Sequence, residues 1–155
     1  MKTKILITIF LILSVNAWAE ERYAEKVKWL SLKEGMEKAR VEKKPMLVDF
    51  AVAKGCPRCE FLQKNVYSKD EIVKKINSDF VPIFINLDLS KKLTPEEKAL
   101  GEKYNFKEDC QLLFLDYNGN VIKDPEAGQM CFADRIEPEV FIKYLDSIKN
   151  RMFKK

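Results

Sequence analysis

The sequence predicts an α/β fold: a mixed central sheet with helices on both faces, closed by a C-terminal β-hairpin and a helix. Three observations predict it. Apolar runs at residues 46–52, 80–87 and 112–115 have strand length and lack helical spacing. Between them stand helix-start signatures, a Ser or Thr followed three residues later by Glu, at Ser31, Ser68 and Thr94. After the last run, Asn118-Gly119 is a hairpin turn signal, which ends the alternation and returns Val121-Ile122 antiparallel.

The first nineteen residues precede the fold. Met1-Lys2-Thr3-Lys4 is a basic start, Ile5 to Leu13 is apolar except for Thr8, and Ala17-Trp18-Ala19 is a small-residue cleavage pattern. A secretory signal peptide over residues 1–19, cleaved after Ala19, is therefore expected. The apolar run falls short of the roughly 20 residues that span a bilayer. Residues 20–155 remain as one domain, expected to be periplasmic or secreted. Losing Lys2 and Lys4 takes the formal charge of +4 down by two, a balance that argues against nucleic acid as a partner. Export also permits the four cysteines to be oxidised.

Ser31 and Glu34 form a capping box, opening a helix to about Lys43 with Leu32, Met36 and Ala39 on one face and Pro45 after its end. The strand 46–52 follows and carries Asp49, an acid within an apolar run, where burying charge is costly and needs a reason. Cys56-Pro57-Arg58-Cys59 then starts a helix through Val66. Cys56 is expected at the helix N-terminus, where unpaired N–H groups and the macrodipole favour an anion. A thiolate is that anion, so the thiol should be more acidic than usual, and Arg58 adds a permanent positive charge. Such a pair can close into a disulfide and reopen, which is thiol–disulfide exchange. Ser68 and Glu71 read as a second capping box, before a helix bearing Ile72, Val73 and Ile76. The strand Phe80–Leu87 has Pro82 near its start, where a missing N–H does least harm. Thr94 and Glu97 form a third box with Pro95 at the first helical position, and that helix reaches about Tyr104. The strand Leu112–Leu115 and the hairpin follow. Pro138 opens a last helix with Phe141, Leu145 and Ile148 at core spacing.

The chain has no histidine. That excludes Ser-His-Asp and Cys-His nucleophiles and any imidazole base or ligand. No Gly-rich phosphate loop and no carboxylate pair at catalytic spacing is present, and the ten Phe residues read as core. Acid–base work falls to carboxylates, lysines and thiols, and no organic cofactor is called for.

Four stretches carry a family resemblance: Lys44-Pro45-Met46-Leu47-Val48-Asp49-Phe50, Cys56-Pro57-Arg58-Cys59, Asp79-Phe80-Val81-Pro82-Ile83 and Leu113-Phe114-Leu115-Asp116-Tyr117-Asn118-Gly119. Together they resemble the exported thioredoxin-like proteins, over residues 27–150. The resemblance implies a thioredoxin fold. It implies that Cys56 is the exposed attacking thiol, Cys59 the resolving thiol, and Asp49 the buried acid that assists proton transfer. Three departures stand out. Gly55 replaces the usual aromatic residue before the first cysteine, and the loop from Asp49 to Cys56 is one residue longer. Asp109-Cys110 stands where the family places the cis-proline of its substrate-binding loop. A cis bond before a non-proline residue costs about 2.5–4 kcal/mol, so this peptide is expected trans and the loop differently shaped.

Cys110 and Cys131 lie on the two arms of the hairpin. A regular two-residue turn at Asn118-Gly119 would set Ala127 opposite Cys110, with Cys131 four residues beyond. The segment Lys123–Gly128 reads as an interruption that absorbs those residues and lets the two cysteines approach. In the fold implied by the resemblance both face the Cys-x-x-Cys loop, so all four cysteines are expected to gather at one end of the sheet. Three readings stay open. Cys110–Cys131 is a second, structural disulfide closing a loop of about twenty residues and contributing on the order of 3 kcal/mol; or it is a redox relay to the first pair; or Cys56, Cys59, Cys110 and Cys131 bind Cu(I) or zinc.

The leading expectation is an exported thiol–disulfide oxidoreductase acting on protein thiols and disulfides through Cys56 and Cys59, monomeric, with a redox partner for which a membrane electron carrier is a candidate. The alternative is a non-catalytic metal-binding module on the same fold.

Overall fold

The computed structural model describes residues 24–52, 55–104, 111–124, 128–129, 131–132 and 136–152. The leader, Asp109 and Cys110 lie outside the described residues, and Cys131 is described in its backbone only.

The elements are α1 (Leu32–Glu42), β1 (Met46–Ala51), α2 (Pro57–Phe61), α3 (Asp70–Asp79), β2 (Val81–Asn86), α4 (Pro95–Lys103), β3 (Gln111–Leu115), β4 (Lys123–Asp124), β5 (Gly128–Gln129), β6 (Cys131–Phe132) and α5 (Pro138–Met152). The main sheet has the order β2-β1-β3-β6. β1 pairs in parallel with β2, as a β-α-β unit, and antiparallel with β3. Every residue of β1 is buried, as its central place requires.

The two faces of β1 feed two cores. Met46, Val48 and Phe50 join Leu32 and Ala39 of α1, Ile83 and Ile85 of β2, and Leu100 of α4. Leu47 and Ala51 point the other way, into the cluster of Cys59, Leu62, Val66, Ile72, Ile76, Phe141, Leu145 and Ile148 from α2, α3, α5 and the turn between α2 and α3. Gly35 sets the first seam: a Cβ on it would lie 2.3 Å from Ile83 Cγ1, so only glycine lets α1 sit this close to β2.

Local signals account for most boundaries. Ser31 with Glu34, and Thr94 with Glu97, form reciprocal capping boxes, the second with Pro95 inside the helix start. Lys43 ends α1 in a left-handed conformation, φ 52°. The box expected at Ser68 does not form. α3 begins at Asp70 with no side-chain cap, and Ser68 Oγ donates back to the Lys64 carbonyl at 2.6 Å. The hydroxyl is used by the preceding helical turn, a competition typical of Ser.

The hairpin also differs from its expectation. Gly119 N–H donates to Asp116 O and Asp116 N–H to Asn120 O, with Gly119 at φ 85°. This is a three-residue turn with a glycine bulge rather than a two-residue turn. Leu115 therefore faces Val121, which forms a single bridge rather than a strand. The small β4–β5 hairpin then interrupts the return, and pairing with β3 resumes with Cys131 opposite Leu113.

Candidate active site

Cys56 and Cys59 are joined as a disulfide at the start of α2, their Cα atoms 5.2 Å apart. Cys56 is the N-cap residue, with extended backbone, and Pro57 takes the first helical position, where its missing N–H costs nothing. The Cys59 backbone N–H points at Cys56 Sγ, 3.1 Å away. One helical turn separates the two sulfurs in environment: Cys56 is half-buried, Cys59 only 1% exposed. Arg58 is half-buried and Pro57 exposed.

Gly55 explains one departure noted in the sequence. It adopts φ 81° with open space around a would-be Cβ, so the backbone angle rather than crowding disfavours an L side chain there. Its N–H donates to Glu60 Oε1 at 3.4 Å, which ties the loop to the first turn of α2. Glu60 thus places a carboxylate beside the dithiol, a feature the sequence reading did not single out.

Asp49 is fully buried in the middle of β1. Its strand partners are Phe84 and Leu112, and it lies between Leu47 and Ala51 on the face that packs against α2. Asp49 Oδ2 accepts a hydrogen bond from the Tyr67 phenol at 2.9 Å. Tyr67 is 1% exposed, and Trp29 and Phe141 meet its ring edge-on at 5.6 and 6.3 Å between centroids. Sequence reasoning counted Tyr67 among the core aromatics. The signal available was modest: a phenol eight residues after Cys59 whose buried O–H needs an acceptor.

The structure thus brings Cys56, Cys59, Arg58 and Asp49 to one face and one end of the sheet. It adds Tyr67. The four-cysteine arrangement rests on the sequence alone, because Cys110 lies outside the described residues. Among the described residues no group of three or more Cys, Asp or Glu side chains is placed to hold a metal ion. No helix among them is long and apolar enough to cross a membrane.

The thioredoxin-like family model matches residues 28–115. Among curated proteins none matches the sequence. Solved structures are similar in fold. A DsbH oxidoreductase is 15% identical, with a TM-score of 0.65, over 80% of this chain and 85% of that one. The reduced C-terminal domain of DsbD from Neisseria meningitidis is 19% identical, with a TM-score of 0.58, over 75% and 92%. A putative disulphide-isomerase from Bacteroides thetaiotaomicron is 22% identical, with a TM-score of 0.58, over 83% and 93%. At these identities the likeness is one of fold.

Proposed function

This chain belongs to the thioredoxin-like family, and on that premise we propose that it is an exported thiol–disulfide oxidoreductase. The observation that carries the reading is the Cys56–Cys59 disulfide itself, with one sulfur reachable from solvent and the other buried behind it. The oxidoreductase and isomerase titles of the structural neighbours lend support.

Cys56 thiolate attacks a substrate disulfide. A Cys56–substrate disulfide forms, and the other substrate sulfur leaves with the electron pair of the broken bond. Cys59 gives its proton to the Asp49 carboxylate and attacks Cys56 Sγ. The Cys56–Cys59 bond forms, the mixed disulfide breaks, and the second substrate sulfur leaves as a thiolate. The substrate disulfide gains two electrons and the protein dithiol loses two; the reverse sequence oxidises a substrate dithiol. Arg58 and the Cys59 N–H favour the Cys56 thiolate, which stabilises the reduced protein and makes the disulfide a stronger oxidant. Residues 1–19 direct export and are removed after Ala19, and a separate redox partner resets the dithiol. Protein thiols and disulfides are the substrates.

Trapping tests this. A Cys59→Ser variant should accumulate a mixed disulfide between Cys56 and a disulfide-bearing protein such as insulin, resolved by mass spectrometry. The parent should reduce insulin with dithiothreitol as the electron source. No adduct on Cys56 and no reduction above the dithiothreitol background would overturn the proposal.

A further inference from the structure

A π-turn sits directly behind the dithiol helix. Residues Leu62–Val66 continue α2 with one residue more per turn, and the Tyr67 N–H closes on the Leu62 carbonyl at 2.8 Å, five residues back. In an α-helix the residue one turn beyond the buried Leu62 would be Val66. The extra residue places Tyr67 there as well, so both Val66 and Tyr67 are buried. The phenol is thereby carried inward onto the face of β1 that holds Asp49, and Oη reaches Oδ2 at 2.9 Å. Trp29 and Phe141 pack edge-on against the ring, at 5.6 and 6.3 Å.

We propose that Tyr67 is a positioning residue for thiol–disulfide exchange: its phenol, delivered by the π-turn, holds Asp49 as an oriented carboxylate able to take the Cys59 proton. The inference rests on the exchange reaction proposed above and extends it to a residue that the family resemblance does not supply.

The physical argument is one of charge. A carboxyl buried in an apolar cluster is driven towards its neutral form, which cannot accept a proton. A hydrogen bond donated to the ionised form opposes that drive. Among the described residues, the titratable members of the apolar cluster on this face are Cys56, Cys59, Tyr67 and Tyr144. Tyr144 packs on Phe114, at 5.3 Å between ring centroids, whereas Tyr67 is the one bonded to Asp49. The proton balance is simple. Cys59 S–H loses its proton to Asp49 Oδ as its sulfur attacks Cys56, and Asp49 later returns that proton to water or to the departing thiolate.

The test uses the reduced protein and the aryl disulfide dithiobis(nitrobenzoate). One thionitrobenzoate leaves as Cys56 is captured, and the second leaves when Cys59 attacks, so the second absorbance phase isolates the Cys59 step. In Tyr67→Phe the ring packing stays and only the hydroxyl goes. A charged-group hydrogen bond converts to a displacement of about one to two pH units. The acid limb of the second phase should move up by that amount, slowing the step about 10- to 100-fold at a pH on the limb, with the alkaline plateau unchanged. Tyr67→Phe should add nothing in an Asp49→Asn background. The ¹³C shift of the Asp49 carboxyl, titrated by NMR, should show the same upward movement without any reference to activity. Replacing Tyr67 by 3-fluorotyrosine, a stronger donor, should move both midpoints down and covers the case in which Tyr67→Phe does not fold. An unmoved limb, an unmoved carboxyl midpoint, or a further loss in the Asp49→Asn background would each overturn the role of Tyr67. Absence of the second phase in the parent protein would instead overturn the exchange reaction itself.

Discussion

Gly35→Ala probes how the sheet that carries the dithiol is held from its other side. An ideal Cβ at position 35 would lie 2.3 Å from Ile83 Cγ1, 2.5 Å from Cδ1 and 3.7 Å from Cβ. Non-bonded carbons prefer about 3.5–4.0 Å, so two of the three contacts need about an ångström or more of movement. Ile83 lies in β2 between two neighbouring strand residues, and its own exposure is nil. Such overpacking costs about 1–3 kcal/mol. Against it stands the helix preference of Ala over Gly, about 0.8–1.0 kcal/mol. The net expectation is a destabilisation of about 1–2 kcal/mol. Ile83→Ala alone should cost about 2–5 kcal/mol through its cavity. It also removes both crowded atoms and leaves only the 3.7 Å contact, so the methyl added at position 35 then enters freed space. The double variant should therefore be more stable than the sum of the single effects, by about 1–2 kcal/mol. Urea denaturation of the three variants measures the cycle. Additivity within about 0.5 kcal/mol would show that α1 and β2 are not in the close contact on which the reasoning rests. Because Gly35 packs on the face of β2 opposite the dithiol cluster, the folded Gly35→Ala protein should retain the thiol chemistry of its parent.

Further outcomes are expected. After mild reduction, limiting iodoacetamide near neutral pH should label Cys56 before Cys59, as half-buried against buried sulfur requires; peptide mapping in which Cys59 reacts as fast would remove the assignment of roles. Arg58→Gln should make the dithiol potential more negative, by about 30 mV for each tenfold loss of reduced-state stabilisation, read by titration against glutathione; an unchanged potential refutes the electrostatic part. Asp79 sits between α3 and α5. Partial desolvation raises its proton affinity, but hydrogen bonds from Lys149 and Ser78 and the Lys149 and Lys75 charges outweigh it and hold the carboxyl below its usual 3.8. A depressed folded value means stability present above about pH 4 and lost as pH falls further. Parent and Asp79→Asn should thus differ by up to about 1 kcal/mol at pH 7 and converge near pH 3 in urea melts; a constant gap would exclude the ion pairs as its source. Cys110→Ser separates the readings of the second cysteine pair: a structural staple predicts lost stability with unchanged Cys56–Cys59 potential, while a relay or a metal site predicts a changed potential or lost metal uptake.

What the sequence by itself determined is what short-range chemistry controls. Ser31 and Thr94 cap their helices because each hydroxyl finds the N–H three residues on, with Glu34 and Glu97 returning the bond. Cys56 lies at a helix start because Pro57 fits only the first turn. The three apolar runs could be strands and little else, so the order of elements and the dithiol's place at the end of β1 were legible in advance. Tertiary structure decided the rest. Ser68 matched the capping pattern equally well, yet its hydroxyl bonds the Lys64 carbonyl because the turn before it is wound as a π-turn. The register of β6 against β3 followed from a glycine bulge at Gly119 and from the inserted β4–β5 hairpin, which the Asn-Gly signal cannot specify. Asp49 could be recognised as an acid needing a reason. That the reason includes Tyr67 depends on how α2 is wound and on Trp29 and Phe141 closing round the ring. A buried hydrogen bond between residues eighteen apart is set by how three elements pack, and no local pattern encodes that distance.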